Sequence, residues 1–196
     1  MIDQTQAWQL FVAALVGFFA GAINPASLIS RARGINIHEV GSGNPGATNA
    51  ARALGKSTGV LVGLIDVLKG FIPTVLFSLW GPGIGEVAGL AAVLGHIFSP
   101  FLGGKGGKGV ATTLGVVLGV QPLWAVPMLV AFGLTVSITK RVGIGAVAGA
   151  VVLIAMGIWL TDSLDEKLFA ITLGMIVIVR HQQNLRDLVA SRHPKD

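Results

Sequence analysis

Two lysines, Lys105 and Lys108, stand among glycines in the stretch 95–113, GHIFSPFLGGKGGKGVATT, between two apolar segments. Glycine leaves backbone N–H groups unshielded by side chains, so such a loop can wrap an anion closely, and Gly106 and Gly107 supply such groups between the lysines. The lysines add point charges suited to phosphate, and a helix starting near Val110 aims its positive N-terminal end at the same anion. The pattern is not G-x-x-x-x-G-K-[ST], because Gly107-Lys108 precedes Gly109. Phosphate binding without nucleotide hydrolysis is the expectation.

A second polar stretch, 41–52, reads GSGNPGATNAAR. Gly41, Gly43 and Gly46 carry the spacing G-x-G-x-x-G, with Asp66 further on, but no buried strand precedes them and a membrane run follows. The dinucleotide reading therefore fails on context. What remains is a dense set of hydrogen-bonding groups: Ser42, Asn44, Thr48, Asn49 and Arg52. A helix from near Pro45 puts Thr48, Asn49 and Arg52 on one face. The third stretch, RHQQNLR at 180–186, sets Arg180, His181 and Asn184 directly after an apolar run, with His181 and Asn184 as helix neighbours.

Two further features are subsidiary. Asp66 and Lys69 share a helical face inside an apolar run, where each charge costs on the order of 3 kcal/mol and mutual pairing is the plain explanation. His96, at the end of an apolar segment, reads equally well as a satisfied helix-terminal histidine or as a second polar wall of the anion site. Together the three stretches offer cations, amides, histidines and exposed N–H groups, with no carboxylate pair, metal-ligand cluster or Ser-His-Asp arrangement. Such a set suits phosphate ligands and a developing oxyanion, electrostatic stabilisation being the main rate term. No metal or other cofactor is expected.

The elements that must position these residues are membrane helices. The chain of 196 residues is 53% hydrophobic and only 12% charged, where a soluble domain has about 25% charged residues. Its 28 glycines fit close helix packing in a bilayer. The absence of cysteine excludes disulfides and thiolate sites. Apolar runs at 8–29, 58–80, 87–101, 110–120, 123–139, 143–160 and 168–179 predict an all-α, polytopic protein of about seven spans, the short 110–120 segment fully or half inserted. No basic residue precedes the first run, so it reads as a retained span and not a cleaved signal.

With the N-terminus outside, the inside segments hold Arg31, Arg33, Arg52, Lys56, Lys105, Lys108, Lys140, Arg141, Arg180, Arg186, Arg192 and Lys195. Lys69 lies within a span and Lys167 outside. That alternation obeys the positive-inside rule and places the C-terminus and all three polar stretches at the cytoplasmic face. The net charge of +5 sits in short loops between apolar runs, so it does not signify nucleic acid. No internal repeat is evident, and residues 1–196 read as one membrane domain.

The three stretches GSGNPGATNAAR, GHIFSPFLGGKGGKGVAT and RHQQNL resemble the three motifs of the bacterial membrane glycerol-3-phosphate acyltransferases of the PlsY type, in order, spacing and chain length. The resemblance implies transfer of a fatty acyl group from acyl phosphate to the 1-hydroxyl of glycerol 3-phosphate, giving lysophosphatidic acid, the first acylation of phospholipid synthesis, in the bacterial inner membrane. By matching position, Ser42, Arg52, Lys108, His181 and Asn184 resemble the family's active-site residues, and the glycine-rich loop with Lys105 its glycerol 3-phosphate site. Gly41, Asn44, Thr48, Asn49, His96, Gly106, Gly107 and Arg180 join them as substrate-binding candidates. The chain departs from the family pattern at Ser99, where a Pro is usual, at Gly104, where a Phe is usual, and at Arg186-Asp187-Leu188. The His-x4-Asp pair of CoA-dependent acyltransferases is absent: Gly43, Phe101 and Arg186 stand at the Asp position after His38, His96 and His181. The expected partners are the two substrates and membrane lipids; no nucleic acid and no oligomer are required. The alternative from another class is a transporter or exchanger of organic phosphates, against which stand the lack of repeats and the placement of polar stretches at one interface.

Overall fold

The computed structural model describes residues 4–190, so Arg192 and Lys195 of the charge count lie outside the described residues. The described residues are helical, with ten α-helices and no strand. Five helical stretches are long and apolar enough to cross a membrane: Gln4–Ala32, Lys56–Ser78, Ile84–Leu102, Pro122–Thr139 and Val142–Trp159. Val110–Val120 is apolar but shorter, at 11 residues, and Leu164–Arg180 has 17. Large apolar side chains face outward, among them Trp8, Phe11, Leu64, Leu76, Leu123 and Trp159. A surface of that kind belongs in lipid.

The chain divides into two compact units, Met1–Pro122 and Leu123–Asp196. The first unit contains α1 (Gln4–Ala22), α2 (Pro25–Ala32), α3 (Ala47–Leu54), α4 (Lys56–Ser78), α5 (Ile84–Ile97), a 3-10 turn (Pro100–Leu102) and α6 (Val110–Val120). Its main seam joins α1 to α5. There a Cβ on Gly17, Gly21 or Gly95 would collide with the carbonyl of Ala88, Ala92 or Phe18 respectively, so the two backbones touch directly. Without a hydrophobic driving force in lipid, such backbone-close packing is what holds helices together. A second seam sets Gly70 and Gly115 between α4 and α6 in the same way, against Thr112 and Val67. The short α3 lies on α4, where Gly59 admits Ala51, and Ala26, Ile37, Ala50 and Val62 form a small core beneath it.

One element differs from its expected course. The first apolar run is not one continuous helix: it breaks at Ile23-Asn24 into α1 and α2. Pro25 has no N–H to continue the ladder, and Asn24 caps α2 by accepting from the Ser27 N–H at 2.8 Å.

The second unit holds α7 (Pro122–Thr139), α8 (Val142–Trp159), α9 (Leu164–Arg180) and α10 (Gln182–Ala190). Helix α7 ends at Thr139, and Lys140 takes a left-handed φ of 57° before α8 begins. Helices α8 and α9 close on each other through Gly157 against Ala170 and Gly174 against Ile154. Helix α9 starts at Ser163, whose hydroxyl accepts from the Glu166 N–H, with Asp165 and Glu166 in its first turn.

Candidate active site

In the first unit, two of the polar stretches are anchored to the break between α1 and α2. A broken helix leaves carbonyls without partners, which within a membrane must be satisfied by protein. Here three consecutive residues each take a partner from a different segment. The Ser99 hydroxyl, at the head of the glycine–lysine loop, donates to the Ala22 carbonyl at 2.7 Å. Lys69 Nζ of α4 donates to the Ile23 carbonyl at 2.7 Å. The Asn24 amide donates to the Pro45 carbonyl, in the second polar stretch, at 2.9 Å. The break is therefore a common mooring for both motifs, although it belongs to neither.

The stretch 41–52 divides in two. Asn49 is buried, and its amide is fully engaged within the fold: it donates to the Ile37 carbonyl at 3.2 Å and the Val40 carbonyl at 3.0 Å, and accepts from the Ser42 N–H at 3.0 Å. Gly41, at φ 57°, lies directly on that amide, and any side chain there would displace it. Asn49 thus shapes the loop from within. Thr48 and Arg52, one turn apart on α3, are exposed, as is Ser42, while Asn44 is half-buried. The three α3 residues expected on one face are split, because α3 buries its Asn49-Ala50 side against the Ile37 and Val62 core.

The glycine–lysine loop folds back on the end of α5. The Gly106 N–H donates to the Ile97 carbonyl at 3.0 Å and the Gly107 N–H to the His96 carbonyl at 3.1 Å. Gly106 and Gly107 are buried, Lys105 is exposed and Lys108 half-buried. Helix α6 begins at Val110, as its apolar pattern predicts, and in its first turns the hydroxyls of Thr112 and Thr113 are buried with no hydrogen-bond partner among the described residues. His96 is 4% exposed, with Nδ1 3.5 Å from Asp66 Oδ1 and its ring against Gly107. Asp66 in turn lies 2.8 Å from Lys69, the pair expected from their spacing.

In the second unit, His181 ends α9 and is buried. Its Nδ1 lies 2.8 Å from the Val177 carbonyl. A carbonyl only accepts, so Nδ1 carries the hydrogen, and in the neutral ring Nε2 is the basic nitrogen. Asn184, on the first turn of α10, packs against Gly143 of α8, and Arg180 is half-buried.

The glycerol-3-phosphate acyltransferase family model matches residues 11–191. The chain belongs to that family. Similar relatives include the glycerol-3-phosphate acyltransferases of Geobacter sulfurreducens, 40% identical over 88% of this chain and 90% of that one, and of Aquifex aeolicus, 39% identical over 91% and 94%. The crystal structure of PlsY (YgiH), an integral membrane glycerol 3-phosphate acyltransferase, in its glycerol 3-phosphate form matches with a TM-score of 0.88 at 34% identity over 95% of each chain. Its lysophosphatidic acid form matches with a TM-score of 0.83. The protein is thus an integral membrane acyltransferase of a bacterial phospholipid-synthesis family.

In this acyltransferase the mooring at Ala22–Asn24 is the part that motif reading missed. The signal available was Asn24-Pro25 inside an otherwise apolar run, a helix stop and restart. Replacement Asn24→Ala leaves the buried Pro45 carbonyl and Ser27 N–H without their partner. A loss of about 2 kcal/mol is expected, read as a lowered unfolding midpoint in detergent. An unchanged midpoint contradicts the mooring.

Proposed function

We propose that this acyltransferase takes its acyl group from acyl phosphate and transfers it to the 1-hydroxyl of sn-glycerol 3-phosphate, releasing inorganic phosphate and 1-acyl-glycerol 3-phosphate. The observation that carries the reading is the anchoring of a glycine–lysine loop and the Ser42–Arg52 stretch to one mooring, beside apolar walls that suit a lipid chain. The missing His-x4-Asp pair supports an acyl phosphate donor over a thioester. The glycerol 3-phosphate and lysophosphatidic acid forms described for the structural neighbour support the acceptor and the product of this reading. Both units act as a single membrane domain with seven spans, N-terminus outside, α6 and α9 completing the five longer ones. The site opens to the cytoplasmic face of the bacterial plasma membrane, where Arg31, Arg33, Arg52, Lys105, Lys108, Lys140 and Arg141 gather under the positive-inside rule.

The reaction is direct acyl transfer without an acyl-enzyme. Arg52 and Lys108 hold the phosphates, with Lys105, Arg180, Thr48, Asn44 and the Gly41, Gly106 and Gly107 backbone around them. Ser42 or Asn184, with backbone N–H groups, faces the carbonyl oxygen as it gains charge. The 1-hydroxyl oxygen forms its bond to the acyl carbon, the acyl carbon–phosphate oxygen bond breaks, and the hydroxyl proton passes to a base. Two bases are available: Nε2 of His181, made basic by its tautomer, and the substrate phosphate, whose second pKa near 6 leaves it largely dianionic at neutral pH. Replacement His181→Gln separates them. A fall in turnover of about 10²-fold or more at every pH assigns the proton to the imidazole. A loss below tenfold with an unchanged pH profile assigns it to the phosphate.

The purified protein, incubated with glycerol 3-phosphate and either palmitoyl phosphate or palmitoyl-CoA, tests the reading by product identification. The expected result is 1-palmitoyl-glycerol 3-phosphate and inorganic phosphate from the phosphate donor, unaffected by EDTA. Turnover of palmitoyl-CoA alone overturns the donor assignment.

A further inference from the structure

The buried ion pair of α4 has no part in the acyl transfer described above, yet it connects the mooring to the phosphate loop. Asp66 is 2% exposed and Lys69 8% exposed, on a helix otherwise apolar enough to span a membrane. Lys69 reaches the Ile23 carbonyl, which the break in the first span leaves without a helical partner. Asp66 sits between Lys69 and Nδ1 of His96. On the opposite edge of that imidazole, Nε2 fills the place that a side chain on Gly107 would occupy, and the Gly107 N–H donates to the His96 carbonyl. A continuous line of contacts thus runs from Ile23 through Lys69, Asp66 and His96 to Gly107, the residue before Lys108.

A buried ion pair contributes little net stability against a well-packed apolar replacement, and inserting its charges into a membrane is costly. Its value lies in direction: charge-assisted contacts fix an imidazole edge-on, where an apolar side chain would not. We propose that Asp66, Lys69 and His96 form a buried positioning relay that seats Gly107 and, through it, the Lys108 ammonium for phosphate binding. The proposal rests on the reading of the loop as the phosphate site. His96 is then a positioning residue that acts through Gly107, enclosed by protein at both ring edges.

The test uses the full chain in detergent, with two readouts: kcat/KM with palmitoyl phosphate and glycerol 3-phosphate, and backbone hydrogen exchange over residues 105–109. Replacing the pair together, Asp66→Leu with Lys69→Met, removes both charges without stranding either. This variant strands the Ile23 carbonyl as Asn24→Ala strands that of Pro45, so its unfolding midpoint is expected to fall by no more than that of Asn24→Ala, while kcat/KM falls at least tenfold and the loop exchanges at least tenfold faster, losses that Asn24→Ala does not share. Asp66→Asn with Lys69→Met keeps an acceptor for His96 Nδ1 without the charges and brings both readouts only part of the way back, to between threefold and tenfold of the parent. His96→Phe reproduces the loss, and adding it to the Leu/Met pair lowers kcat/KM no further, as residues in one line of contacts are non-additive. Either readout of the Leu/Met variant within twofold of the parent overturns the relay, as do losses that multiply. Should the Leu/Met variant fail to fold, Asn/Met against His96→Phe decides by the same two readouts. A Lys108→Ala protein with undiminished activity sinks the phosphate-site reading instead, and loop exchange alone then decides whether the relay seats the loop.

Discussion

Lys108→Ala is expected to lower turnover about 10²–10³-fold while the protein remains folded. The reasoning starts from placement. Lys108 is half-buried, between buried Gly107 and Gly109, and Gly109 is the N-cap of α6, whose first-turn N–H groups have no partner within the helix. A cation in that position acts in a partly desolvated environment, where each charge–charge interaction exceeds its value in water. The loop is closed by backbone bonds from Gly106 and Gly107 to the end of α5 and by Ser99 to Ala22, all of which the alanine variant keeps. Lys108→Arg restores the charge but not the compact ammonium, so partial recovery at most is expected. Initial rates with palmitoyl phosphate and glycerol 3-phosphate, beside an unfolding midpoint, check both variants. An alanine variant retaining more than a tenth of the activity places the phosphate elsewhere.

Gly95→Leu is expected to abolish the folded state. A Cβ at Gly95 meets the backbone of Phe18 and Ala22, and no side-chain rotation can relieve a clash against main chain. Helices α1 and α5 would have to separate, undoing the close approach repeated at Gly17 and Gly21. Overpacking costs typically about 1–3 kcal/mol where side chains can adjust. Here the cost falls on two backbones and exceeds that range. The change also strikes the site, because α1 ends at the mooring and α5 carries His96 in its last turn. Gly133→Leu in α7 is the control: a Cβ there meets nothing within 4 Å. Size-exclusion profile and thermal unfolding in detergent report both. A monodisperse Gly95→Leu protein with the parent's midpoint would mean the seam is looser than its geometry.

Much of the fold and the candidate site was legible because the relevant physics is local. Long apolar runs with few charges predict membrane-spanning helices, five helical stretches are long and apolar enough to cross, and α6 begins and ends where its pattern puts it. The glycine–lysine loop announces itself by composition, and the Asp66–Lys69 pair by its spacing. The division of Thr48, Asn49 and Arg52 was less accessible. Helical spacing says which residues are neighbours, but only the Ile37 and Val62 core decides that Asn49 turns inward and Arg52 outward.

By itself, then, the sequence determined the solvent, the helical class, the three polar stretches and the chemistry they can support, since each follows from residue type and short spacing. The tertiary structure alone decided what anchors them. The Ile23 and Ala22 carbonyls at the break between α1 and α2 accept from groups 46 and 77 residues away, the Asn24 amide donates to the Pro45 carbonyl, and His96 of α5 faces Asp66 of α4. Bonds of that range arise when buried polar groups must find partners within the membrane, a demand set by the packed chain as a whole and written in no local pattern.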